Sequence, residues 1–172
     1  MHRPRHRLAL ATIVAAIAIG MAGCGATAEP GAETFYTQHG GEARRASRAV
    51  ALVAAHLGTV TTRPSHANLG ALAVAASIAR RTLLAAADWA VNENSEEEDV
   101  SQAELEINEA AGAMLKAMTA IHQYAGTESR AALVLYRHDL NGGSERWNQG
   151  MAELWHLVRR SHPPTIQPLS DR

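Results

Sequence analysis

Apolar and small residues recur three and four apart over long stretches of this chain, the period of one face of a helix. The first stretch covers about Glu42 to Leu57, with Ala46, Val50, Val53 and Leu57 in step and Gly58 placed as a C-terminal stop. The second begins after Arg63-Pro64-Ser65, where Ser65 can cap the free amides, and continues to about Val91. Its stripe is Leu69, Leu72, Ala76, Ala79, Leu83, Ala86 and Ala90, widened on one side by Val74, Ile78 and Trp89. The third opens on Ser95-Glu96-Glu97-Glu98, which has the spacing of a capping box. It repeats through Ile107, Ala111, Met114, Met118, Ile121 and Ala125, and Gly126-Thr127 should end it.

The fourth stretch carries two conflicting signals. Leu133, Tyr136 and Leu140 precede Asn141-Gly142-Gly143-Ser144, whose residues favour a turn, while Trp147, Met151, Leu154 and Val158 keep the same stripe beyond it. The continuing stripe predicts one long helix, kinked or broken near 141–143, that ends before Pro163-Pro164. Four such helices with short connections predict an all-α, up-down-up-down four-helix bundle over residues 42–162. Residues 163–172 follow the double proline without an apolar stripe and are expected to be a disordered tail.

Composition supports the helical reading. Of 172 residues 35 are alanine, the best helix former, and aromatic residues make up only 4%, which argues against an all-β fold. A single cysteine excludes an internal disulfide and any cysteine-rich zinc site.

The N-terminus differs from everything after it. Residues 1–7 contain three arginines and no acid, and Leu8 to Ala22 is an uncharged run of apolar and small residues. That run is short for a membrane span, which needs about 20 residues, and fits a secretory signal. It ends in Met21-Ala22-Gly23-Cys24, which resembles the lipobox of bacterial lipoproteins, with methionine where leucine is usual. The resemblance implies that residues 1–23 are removed and that Cys24 is acylated and becomes the first residue of a chain anchored at the extracytoplasmic membrane face. Residues 24–41, small and interrupted by Pro30 and Gly40-Gly41, then read as a lipidated tether. Removal of the signal leaves 13 basic residues against 17 acidic, a net charge of −4, with no basic stripe of the kind a nucleic-acid binder needs.

No nucleophile elbow, phosphate loop, His-Glu-x-x-His or haem-attachment motif occurs, and the chain is read as a non-enzyme without a resident cofactor. One Glu-x-x-His, at Glu153 and His156, falls short of the pair that a di-iron bundle uses. Bundle topology would bring His56, His66 and His122 to one pole with Tyr124 and Glu128 nearby, where three imidazoles could hold zinc or copper. The alternative is that these histidines are ordinary polar residues at helix ends. Trp89, Trp147, Trp155 and Tyr136 could line a ligand cleft, but read more simply as the bulk an alanine-rich core requires. The run Glu96 to Asp99 is a solvated helix start. The functional expectation is therefore a lipid-anchored helical module that binds an unknown protein or small molecule. The rival is a metal- or haem-binding bundle.

Overall fold

A computed structural model describes residues 30–92 and 97–169 of the chain. The signal segment, Cys24 and Ser95 lie outside the described residues. Four helices form an antiparallel bundle: α1 (Pro30–Thr62), α2 (His66–Asn92), α3 (Glu98–Thr127) and α4 (Arg130–Leu157). An extended segment, residues 160–169, follows α4.

α1 is much longer than its sequence stripe suggested, and residues 30–41 are helix rather than tether. Pro30 suits a first helical position, because its missing N–H would have no partner there. The neighbouring orphan amide of Gly31 donates to the carboxylate of Glu97, at 3.2 and 3.3 Å to its two oxygens. Packing then carries the turn that propensity does not. Phe35 is buried edge-on against Trp89, with ring centroids 5.7 Å apart, and Gly40 lies beneath the indole of Trp155. At the other end α1 passes through Gly58 instead of stopping there, and the hydroxyls of Thr59, Thr61 and Thr62 bond back to its carbonyls.

Ser65 caps α2 as expected, accepting the Asn68 amide at 3.2 Å. α3 begins at Glu98 with Glu97 as its extended N-cap residue, which makes no side-chain cap hydrogen bond. Its C-terminus turns on Glu128, which adopts a left-handed φ of 52° and donates its amide to Tyr124 O.

α4 runs unbroken through Asn141-Gly142-Gly143, and no glycine among the described residues has a positive φ. The glycines have a packing role instead. A Cβ on Gly143 would lie 2.7 Å from Met114 Cγ and 3.1 Å from Ala110 O, and one on Gly150 would lie 2.8 Å from Ala103 O. Gly143 and Gly150 face Ala110 and Ala103 in antiparallel register, which lets α3 and α4 approach backbone to backbone. Arg146–Glu109 at 2.8 Å and Gln149–Glu106 at 3.2 Å flank this contact.

Consecutive helices pack along their lengths, whereas α1 and α4 meet far less. Between those two helices the contacts gather where Tyr36, Gly40 and Arg44 surround Trp155. α2 is the only helix among the described residues long and apolar enough to cross a membrane by length and composition. Its buried stripe of Leu69, Leu72, Ala76, Ala79, Leu83 and Ala86 belongs to the bundle core.

Candidate functional site: the seam between α1 and α4

The three candidate histidines do not converge. His122 turns towards the middle of α2, with Nδ1 3.3 Å from Ala73 O and 3.5 Å from Ser77 Oγ. Ala73 lies about 10 Å along α2 from His66, two helical turns away. His56 is half-buried and His66 exposed. Among the described residues no three His, Cys, Asp or Glu side chains are grouped to hold a metal ion. Glu153 and His156 border a shallow cleft with Asp99 and Gln102 and form no such group either.

The tryptophans are core residues. Trp147 and Trp155 are buried with Tyr136, and Trp89 stacks on His39 while donating its indole N–H to Glu42 Oε2 at 2.8 Å. Burial pushes the Tyr136 phenol up from its ordinary value, so it stays neutral, and its hydroxyl has no hydrogen-bond partner.

One feature of the molecule holds a piece of main chain rather than a side chain. Asn141, Asn148 and Trp155 recur every seven residues and form one line along α4. Trp155 meets α1. Further along the same line, Asn148 and Asn141 hold the extended segment. Asn148 donates to Ile166 O at 2.9 Å and accepts the Ile166 amide at 2.8 Å. Asn141 repeats the pairing on Leu169, accepting its amide at 2.8 Å and donating to its oxygen at 3.4 Å. Between them Trp147 donates its buried indole N–H to Pro164 O at 3.0 Å.

The spacing explains the match. Seven helical residues advance about 10.5 Å, and three residues of extended chain cover nearly the same distance, about 9–10 Å. Pro164 and Ile166 are buried, Ile166 to 2% exposure, while Thr165 and Gln167 face solvent. Residues 163–169 are thus not a disordered tail but a strap whose apolar residues join the bundle core. Each of its backbone polar groups named above has a side-chain partner, as a buried extended segment without a sheet requires.

The antiparallel register that sets Gly40 against Trp155 brings Ser47 level with Asn148, two turns along. Ser47 Oγ and Trp155 Nε1 are buried on this seam without a hydrogen-bond partner. At its open end, Arg44 and Arg160 stand over the Tyr36 ring, 5.7 and 5.3 Å from its centroid. The hydrogen bond from Arg44 and the charges of both guanidiniums lower the Tyr36 pKa.

A second groove crosses the opposite side, between Arg80 and Leu84 on α2, Leu115, Lys116 and Thr119 on α3, and Leu135 and Asp139 on α4. It is open, with Leu84 and Leu135 41% and 54% exposed, and Arg80, Lys116, Thr119, Gln123 and Asp139 supply its polar groups; the described extended segment lies on the seam and not here.

Sequence reasoning missed the strap and its holders. The seven-residue spacing of Asn141 and Asn148, with Trp147 beside one of them, is the only trace they leave in the sequence, and it does not separate a gripping pair from a solvent-facing one. Comparison with protein-family models, curated proteins and solved structures finds no match for this chain.

Proposed function

We propose that this chain is a lipid-anchored, non-enzymatic binding module on the extracytoplasmic face of a bacterial membrane, with the α1–α4 seam as its binding face. The observation that carries the binding part is the row Asn141, Trp147 and Asn148, a set of side chains that grips another segment's main chain. The anchor part rests on the lipobox-like Met21 to Cys24.

Helix α1 starts only six residues after Cys24, a reach of about 20 Å when extended, so a lipid on that cysteine would hold the bundle close to the bilayer. Two or more acyl chains bind a membrane stably where one is marginal, so the multiply acylated cysteine of lipoproteins would make the tether durable. The α1 N-terminus and the α4 C-terminus share one pole, so with that anchor Tyr36, Arg44 and Arg160 would lie on the membrane-proximal part of the seam.

Fractionation of cells that make wild-type or Cys24→Ser protein tests the anchor. The wild type should incorporate acyl label and sediment with membranes. The variant should incorporate none, and be released or persist as precursor. Unchanged labelling of the variant would overturn the proposal.

A further inference from the structure

From the way the strap is held, we infer that the α1–α4 seam is a recognition site for extended, proline-containing peptide segments of a partner protein, and that residues 163–169 are its resident, displaceable occupant. The inference rests on the binding-module reading above and names its ligand class.

Ligand chemistry is read from the occupant. Every hydrogen bond that Asn141, Trp147 and Asn148 make to the strap goes to main-chain atoms of Pro164, Ile166 and Leu169. Any extended segment offers the same atoms, so these bonds select conformation and not sequence. Selection by side chain rests on the buried Pro164 and Ile166, with the half-buried Leu169 packed against the core beyond them. An indole N–H donating to a carbonyl beside a proline, on an apolar surface, is a general way to read polyproline-II chain, which loses little entropy on binding.

Two further observations mark the strap as replaceable. It is held by side chains of α4, so detaching it breaks none of the helices' own hydrogen bonds. Ser47 Oγ and Trp155 Nε1 are buried without hydrogen-bond partners, and the register of Gly40 against Trp155 sets Ser47 level with Asn148. A segment with a polar group at either place would gain hydrogen bonds that the strap does not make. A partner's segment would compete with the strap for the same row of donors and acceptors, so the strap sets the threshold for binding.

Hydrogen exchange on the full chain, purified in detergent, tests this with a synthetic peptide of residues 161–169. Rising peptide should strip protection from the Ile166 and Leu169 amides of the protein by about tenfold or more, while α4 amides keep theirs. The same peptide carrying I166D should leave the protection of Ile166 and Leu169 unchanged. In parallel, a chain ending at Arg160 should bind the labelled peptide, and Asn148→Ala in that chain should weaken binding about tenfold. If the shortened chain does not fold, the exchange experiment on the full chain still decides. Protection of Ile166 and Leu169 that no concentration of peptide alters would overturn the inference. So would a dimer joined by exchanged straps, which would assign the seam to a second copy. Neither result touches acylation of Cys24, so failure here is distinguishable from failure of the anchor.

Discussion

Trp147 Nε1 lies 3.0 Å from the main-chain oxygen of Pro164, and both residues are buried. This bond fixes the point at which the chain, having left α4, turns back along the same helix. Two asparagine side chains then guide it past Asn148 to Asn141. A four-helix bundle with one thin seam is thereby closed by its own C-terminal segment.

Asn148→Ala removes both bonds to Ile166 and leaves that residue's amide and carbonyl without partners in a half-buried place. The strap should detach more often, and the protein should lose about 1–3 kcal/mol of stability. Limited proteolysis between residues 160 and 169 should accelerate while cleavage within the helices does not.

The paired glycines of α4 should respond in opposite ways. Gly142 has open space where a Cβ would stand, so Gly142→Ala should stabilise by up to about 1 kcal/mol. Gly143→Ala drives a methyl group towards Met114 and the Ala110 carbonyl and should destabilise by about 1–3 kcal/mol. Urea denaturation of the two variants checks the sign of each.

The same pair shows what was legible in the sequence. The stripe from Leu133 to Val158 identified one helix across the glycines, because burying an apolar face outweighs about 1 kcal/mol per glycine. It could not say which glycine touches α3, a matter of register between helices. Residues 30–41 resemble a tether in sequence because Pro30, Gly40 and Gly41 weaken local helix propensity. Contacts distant in sequence decide there, Phe35 on Trp89 and Gly40 under Trp155. The strap was illegible for a related reason. Asn141 and Asn148 sit on the polar flank of α4, and nothing local separates an asparagine that grips a backbone from one that faces water. The histidine cluster failed on side-chain direction. Topology sets His122 near the right pole, but its ring leans to Ala73 and Ser77 on the neighbouring helix.

Tyr136→Phe should stabilise the protein at neutral pH by about 1–2 kcal/mol, since it deletes a hydroxyl buried without a partner. The raised pKa adds a pH signature. A group whose pKa is higher in the folded state holds its stabilisation below its unfolded value, 10.0 here, and loses it as pH rises above that. Alkaline unfolding should therefore begin near pH 10 in the wild type and shift upward in Tyr136→Phe.

Tyr36 should behave in the opposite sense. The Arg44 hydrogen bond and both guanidiniums favour its phenolate, so it should ionise below the ordinary 10.0. Ultraviolet titration of wild type against Tyr36→Phe isolates this component, and Arg44→Ala should move it upward.

The proposed attachment of this bundle to a membrane through Cys24 is decided by intact mass spectrometry of the protein extracted from membranes. The chain should begin at Cys24 and carry the added mass of acyl groups on that residue. A chain that still begins at Met1, or one whose Cys24 is a free thiol, would contradict it.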